Sequence, residues 1–264
     1  MIAEHHHSQP FSVMTSNDQL QAFQEDGYVL IPGLFDAVEM DGVLRYSKGD
    51  RGLDADTITR KDATGGESRL TLHNMLEEDS MYSAIVRSRR IADTMEAFIG
   101  AEIYYYHHKM MLKESRVGGA WEWHQDYGYW YNFGCLYPDM GSAIIAVDRA
   151  TKENGCLQVL KGSHKIGRVD HGMAGQQVGA DMVRVQQALQ HHELVYCEMN
   201  PGDVLFFHAN LLHRSDKNES ENLRWSLICC YNARHNDPFI LGKHASYEPL
   251  ERWNDDRVRQ RLIS

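Results

Sequence analysis

The stretch Ile103-Tyr104-Tyr105-Tyr106-His107-His108-Lys109-Met110-Met111-Leu112 decides the reading of the fold. It contains neither Gly nor Pro, and its aromatic and apolar run reads as a strand. From here onward the chain breaks into short apolar or alternating runs separated by Gly, Pro, Asn and Asp. Further strands are expected at 121–124, 142–148, 155–160, 193–198, 203–207 and 224–231. Gly118-Gly119, Asn154-Gly155 and Asn200-Pro201-Gly202-Asp203 mark turns between them. Upstream the signals are mostly helical. Ser16 and Gln19 form the pattern of a capping box, opening a helix through Gln24. A strand follows at 28–32, and 83–99 carries helical periodicity with Ile85, Ile91, Met95 and Phe98 on one side. Helices first and strands afterwards predict a mainly β (α+β) fold, a helix-buttressed antiparallel sandwich or jelly roll. Residues 163–190 lack strong periodicity and are expected to form a lid or insert with a helix near its end.

The 264 residues suffice for one large domain, and no repeat, low-complexity tract or linker divides 1–264. Apolar residues make up 42% and charged residues 24%, as in ordinary globular chains. The net charge of −10 and the absence of a Lys/Arg run argue against nucleic acid or an anionic membrane as partner. A small-molecule substrate and a monomer or weak homo-oligomer are the expectation. Cys135, Cys156, Cys197, Cys229 and Cys230 show no spacing of a disulfide frame or zinc site, which fits buried, reduced thiols in a cytoplasmic protein. No apolar run has the length of a membrane span, and no signal-peptide core is present. Residues 1–15, with His5, His6 and His7, read as a disordered polar leader.

Residues two apart in a strand share a face. His124 and Asp126, at the end of the run 121–124, can therefore aim an imidazole and a carboxylate at one point. Two histidines and a carboxylate on one face of an octahedron are the ligand set of non-haem Fe(II) oxygenases. With fifteen histidines and thirty-seven acids such pairs also arise by chance, and His191-His192-Glu193 is a rival. Trp121, Trp123, Tyr127, Tyr129 and Trp130 around the first pair favour it, because aromatics line pockets. For a third ligand, His208 and His213 both follow the strand at 203–207. Arg224 opens an apolar strand, where a buried guanidinium needs an anion. Ser226 shares its face, so the two can clamp a carboxylate, although an ordinary structural ion pair would also account for Arg224.

Taken together, these residues resemble the phytanoyl-CoA dioxygenase (PhyH) family of iron/2-oxoglutarate oxygenases. The likeness runs through Asp26-Gly27-Tyr28-Val29, Pro32-Gly33, Trp123-His124-Gln125-Asp126 and Ala150-Thr151-Lys152-Glu153-Asn154-Gly155-Cys156-Leu157. It continues in Gly162-Ser163-His164, Pro201-Gly202-Asp203 and His213-Arg214-Ser215. The family pattern sets its 2-oxoglutarate arginine eleven residues after the distal histidine, an interval that here leads from His213 to Arg224 and selects His213 over His208. The resemblance implies a double-stranded β-helix, the jelly-roll, cupin-like barrel, buttressed by N-terminal helices. It implies Fe(II) on His124, Asp126 and His213, with 2-oxoglutarate and O2 as co-substrates. Arg224 would bind the far carboxylate of 2-oxoglutarate, with Ser215 and Ser226 beside it, Lys113 directed at the co-substrate and Trp130 lining the site. The implied reaction is hydroxylation of an unactivated C–H of a small metabolite with release of succinate and CO2. Related iron halogenases lack the carboxylate ligand, so Asp126 points to hydroxylation or desaturation. Tyr127 and Tyr129, with Arg168 and His171 in the expected lid, are the candidate substrate contacts. The competing classes are a cupin-like isomerase or lyase working without 2-oxoglutarate, and a non-catalytic metabolite-binding relative.

Overall fold

Alternation along the buried strands separates two large cores, with a smaller third cluster under the insert, and the site lies in the second. The computed structural model describes residues 15–49, 57–116, 118–242 and 244–262, so the polar leader up to residue 14, with its three histidines, lies outside the described residues. Helix α1 (Asn17–Asp26) starts at the expected capping box. Ser16 Oγ accepts from the Gln19 N–H at 3.2 Å, and Gln19 Oε1 accepts from the Ser16 N–H at 2.9 Å. It stops at Gly27, whose φ of 80° is the left-handed conformation that glycine adopts without steric cost. Then come β1 (Tyr28–Ile31), α2 (Ala37–Gly49), β2 (Thr57–Lys61), β3 (Glu67–His73), α3 (Met81–Val86) and α4 (Arg89–Ile99). The strand-rich part follows with β4 (Ile103–Lys113), β5 (Trp121–His124), the one-turn helix α5 (Asp126–Trp130), β6 (Met140–Ala146) and β7 (Leu157–Leu160). The remainder is β8 (His171–Ala174), β9 (Gln177–Ala180), α6 (Met182–His191), β10 (Leu194–Cys197), β11 (Val204–His208), β12 (His213–Ser215), β13 (Arg224–Ala233) and α7 (Asp256–Gln260).

Seven strands pair in the order β1-β11-β6-β13-β4-β3-β2, four in the order β10-β7-β12-β5, and β8 with β9. All these pairings are antiparallel. The two larger sheets, with helices on the outer face of the first, make the expected jelly-roll architecture. Successive side chains of a strand point to opposite faces. Along β13, Leu227, Cys229 and Tyr231 enter a core with Phe23, Ile85, Ile91, Met95 and Phe98 of the helices. Ile228 and Cys230 enter the other core, with Trp130, Val159 and Phe207 between the sheets. Each fully buried Leu, Ile or Phe of this kind contributes about 1.5–3 kcal/mol relative to exposure. Because both faces are covered, β4, β6 and β13 are buried almost throughout, and their sequences are continuous apolar runs without clean alternation. All five cysteines are buried and free, and Cys229 and Cys230 point into different cores. No helix among the described residues is long and apolar enough to cross a membrane.

Two departures from the sequence reading have physical causes. The helix expected over 83–99 is two helices, because Ser88 is extended (φ −61°, ψ 139°). Trp253 takes the backbone bonds there: its N–H donates to the Arg87 carbonyl at 2.8 Å, and its carbonyl accepts from Arg89 at 3.3 Å. Helix α2 and the hairpin β2–β3 are additional elements, the hairpin being tied at its turn by Asp62. That carboxylate accepts from the N–H groups of Thr64 (2.9 Å), Gly66 (2.8 Å) and Ala120 (2.8 Å). The stretch 163–190 is ordered as a 3-10 turn (Ser163–Ile166), the hairpin β8–β9 and helix α6 near its end. Strand β9 packs on β5, which brings the insert over the end of the barrel where the site lies.

Candidate metal centre

Strands β5 and β12 are neighbours, and their register sets His124 directly opposite His213. The chain leaves β5 at His124 and turns into α5 at Asp126, so the two residues do not share a continuous strand as the sequence reading supposed. The carboxylate instead comes from the first turn of a helix whose Tyr127 N–H is held by the Ala209 carbonyl at 3.0 Å. One ligand atom from each of His124, Asp126 and His213 falls within 4.8 Å of the others, and all three residues are buried. His124 Nε2 lies 4.0 Å from Asp126 Oδ1.

Hydrogen bonds fix which atoms remain for a metal. His124 Nδ1 lies 2.7 Å from the Glu122 carbonyl and His213 Nδ1 lies 2.9 Å from the Leu211 carbonyl. A carbonyl only accepts, so both Nδ1 atoms carry the proton and both Nε2 lone pairs are free. Ser142 Oγ donates to Asp126 Oδ2 at 2.7 Å, leaving Oδ1. Burial, and then the His213 imidazole, hold His124 neutral well below the usual histidine value. His213 is likewise lowered by burial. Burial pulls the Asp126 carboxyl upward, but the Lys109 ammonium foremost, with the Ser142 hydroxyl, acts against it, and the value is lowered. Two neutral imidazoles and a carboxylate on three faces of one point fit Fe(II).

Arg224 heads β13, buried, with Nη1 at 3.3 Å from Ser226 Oγ. Its Nε has no hydrogen-bond partner among the described residues. Burial lowers the guanidinium to about 10, so it stays charged at neutral pH. A buried cation with an unused donor and no ion-paired carboxylate among the described residues fits an anion of a bound co-substrate.

A cavity of about 610 Å³ joins these groups. Ser215, Ser226, Arg224, Trp130 and Tyr129 line it together with the three metal-ligand candidates. Other predicted contacts fall elsewhere. The Lys113 ammonium donates to Ser215 Oγ at 2.9 Å and to the Asp216 carbonyl, so it holds Ser215 from behind the cavity wall. Burial, then Arg224, press its value well below that of a free lysine. Tyr127 points away, its hydroxyl on the carbonyls of Cys135 (3.2 Å) and Leu136 (2.5 Å). The helical period explains this correction: Asp126, Tyr129 and Trp130 are i, i+3 and i+4 on one side of α5, and Tyr127 is not. Arg168 is turned to Asp170 (2.9 Å) and lies over the Tyr131 ring, off the cavity wall. His171 is also off that wall; its Nε2 accepts the Gln125 N–H at 3.0 Å, bracing the residue between two ligand candidates.

The cavity also has walls that sequence reasoning missed. Lys109, His107 and Met111 alternate along β4 and face inward, and Arg60, Met173 and Gln176 come from the two hairpins. A lysine inside an otherwise buried apolar strand was the available signal for Lys109; the hairpin residues had none. The rivals do not gather. His191 is exposed at the end of α6, His192 Nδ1 donates to the Lys161 carbonyl at 2.9 Å, and His208 Nδ1 accepts the Asn210 N–H at 3.0 Å.

The jelly roll, the buried triad and the unsatisfied arginine define an Fe(II)- and 2-oxoglutarate-dependent dioxygenase. The family model described as phytanoyl-CoA dioxygenase (PhyH) matches residues 23–226, and the chain belongs to that family. It is 28% identical over 197 residues to L-proline trans-4-hydroxylase of Streptomyces griseoviridis, covering 66% of this chain and 71% of the relative. It is also 28% identical over 237 residues to ectoine dioxygenase of Sphingopyxis alaskensis, covering 83% of this chain and 76% of the relative. The fold is similar to that of EctD from S. alaskensis with 2-oxoglutarate and 5-hydroxyectoine. There the TM-score is 0.76 at 23% identity, covering 94% of this chain and 90% of that one.

Proposed function

We propose that the protein hydroxylates a C–H bond of a small metabolite, converting 2-oxoglutarate to succinate and CO2. The observation that carries this reading is the buried His124–Asp126–His213 triad opening into the same cavity as Arg224, whose Nε is unused. When bound, iron and 2-oxoglutarate supply the activation of dioxygen. The Nε2 atoms of His124 and His213 and Asp126 Oδ1 would hold the iron. Arg224 and Ser226, with Ser215 braced by Lys113, would hold the far carboxylate of 2-oxoglutarate. Trp130, Phe133, Ile144, Phe207 and Ile228 line the cavity with apolar surface that excludes water. Asp126 fills the third protein position, which favours oxygen transfer over halide transfer.

The test has two stages. Anaerobic addition of Fe(II) and then 2-oxoglutarate should produce a weak visible charge-transfer band. A succinate-release screen over amino acids, betaines, phosphonates, acyl-CoAs and natural-product scaffolds should then find a substrate that raises turnover. A protein that binds metal yet shows neither the band nor any succinate belongs instead with cupin-like enzymes that work without 2-oxoglutarate.

A further inference from the structure

Among the described residues, the cavity that joins the triad to Arg224 has Asp126 as its sole acidic lining residue, against Arg60, Lys109, Arg214 and Arg224. Arg214 is already paired, with Asp216 and with Gln158 Oε1 at 3.1 Å. Lys109 is not. Its ammonium lies 3.8 Å from Asp126 Oδ1, beyond hydrogen-bond reach, and none of its three donors has a hydrogen-bond partner among the described residues. The side chain is about one-fifth exposed (20%) and faces the cavity.

We infer that Lys109 anchors an anionic group, a carboxylate, of the substrate beside the metal centre. This rests on the iron/2-oxoglutarate reading above. Asp126 Oδ2 is taken by Ser142, so Oδ1 is both the oxygen left for iron and the one beside Lys109. The charges of Fe(II), Asp126, doubly ionised 2-oxoglutarate and Arg224 cancel. Lys109 then remains as a half-buried cation with its nearest counter-charge committed to the metal. Such a charge is costly unless paired, and the partner still to be supplied is the substrate. His107 lies two residues away on the same face of β4, lining the cavity with its Nδ1 unpartnered. Burial, and then Lys109, hold that imidazole at about 3, so a neutral ring lies beside the ammonium. Arg60 is exposed at the cavity's rim, with no ion-pair or hydrogen-bond partner among the described residues, and attracts anions toward the opening. Leu72, Trp130, Phe133 and Ile228 surround the remaining space, so the acid has a compact apolar body.

The experiment compares acids with their primary amides, which match in shape and differ in charge. The pairs are 3-phenylpropanoate and 3-phenylpropanamide, cyclohexanecarboxylate and its carboxamide, and L-proline and L-prolinamide. Binding to the anaerobic protein loaded with Fe(II) and saturating 2-oxoglutarate is followed by calorimetry and by perturbation of the visible band. At least one acid should bind tenfold or more tighter than its amide. Lys109→Met should bring that ratio close to one, Lys109→Arg should preserve most of it, and Arg60→Gln should reduce it less than Lys109→Met does. The ratio is taken within each protein, so a general loss of affinity does not imitate the effect. Should Lys109→Met not fold, the parent and the Lys109→Arg and Lys109→Gln proteins give the same comparison. Parity of acids and amides, binding by no acid of the panel, or an undiminished ratio without the ammonium overturns the assignment. Failure of the band to form at all instead overturns the iron/2-oxoglutarate reading.

Discussion

At the scale of single residues the ligand set separates from its neighbours by what each imidazole nitrogen already does. His124 and His213 spend Nδ1 on a carbonyl and keep Nε2, whereas His208 uses Nδ1 to accept from Asn210 and lies beside Phe23 and His164. His124→Ala, Asp126→Ala and His213→Ala should each abolish iron-dependent succinate formation. His208→Ala should keep iron binding while losing about 1–3 kcal/mol of stability, the cost of an unpaired buried donor. Normal turnover by the Asp126→Ala protein would remove the basis of the assignment. Arg224→Ala should raise the 2-oxoglutarate requirement by about 2–5 kcal/mol in apparent binding, as expected for truncating one partner of a buried charge pair; a titration of succinate formation against 2-oxoglutarate reads it. His124, Asp126 and Arg224 were legible because each is a chemically unusual residue at the edge of an apolar run. Residue chemistry alone left His208 and His213 open, and the interval to Arg224 chose between them. Tyr127 was misread because its orientation depends on a helical turn that a five-residue segment does not announce.

Single elements matter here through the contacts that brace them. Helix α5 carries Asp126, and its Gly128 lies so close to the insert that a Cβ would fall 2.2 Å from the His171 ring. That ring is held between the Val169 carbonyl (2.8 Å) and the Gln125 N–H (3.0 Å). Gly128→Ala should therefore push His171 off Gln125, cost about 1–3 kcal/mol of stability and weaken iron binding. Denaturant midpoints and a metal titration check it, and unchanged iron affinity would show that the insert does not support the ligand turn. The hairpin β2–β3 makes a second case. Burial acts to raise the Asp62 carboxyl, yet the bonds from Ala120, Thr64 and Gly66 outweigh it and leave the value lowered. A group depressed in the fold stabilises it fully above the unfolded value, about 3.9, and loses that contribution as pH falls through the folded value. Parent stability should thus decline below about pH 4, and Asp62→Asn should be less stable at pH 7 and show a smaller acid decline. Urea midpoints at pH 7 and pH 3.5 in both proteins measure this. Strands β4, β11 and β13 could be read because burial on both faces makes them continuous apolar runs. The break at Ser88 could not, because it is imposed by Trp253, 165 residues later in the chain.

Across the whole molecule, the three candidate metal ligands reach into different parts of the barrel. His124 and His213 belong to the four-stranded sheet, while Asp126 is tied through Ser142 to β6 of the seven-stranded sheet. A metal held by all three therefore links the two sheets across the core that contains Ile144, Phe207 and Ile228. This linkage was not readable from sequence, since Ser142 has no feature that distinguishes it from other serines in apolar strands. It makes metal binding a term in global stability, because the unfolded chain has no preassembled site. With free metal at about one hundred times its dissociation constant, the native state should gain about 2.7 kcal/mol. For a domain of this size that corresponds to a rise in Tm of roughly 5–10 °C. Calorimetric scans of chelator-treated protein with and without Fe(II) under anaerobic conditions, or with Zn(II) as a redox-silent substitute, would record it. Ser142→Ala separates the linkage from simple ligand loss: it keeps all three ligands but should bind metal more weakly and show a smaller rise at the same metal concentration. A full-sized shift in that protein would mean that the metal stabilises the four-stranded sheet alone.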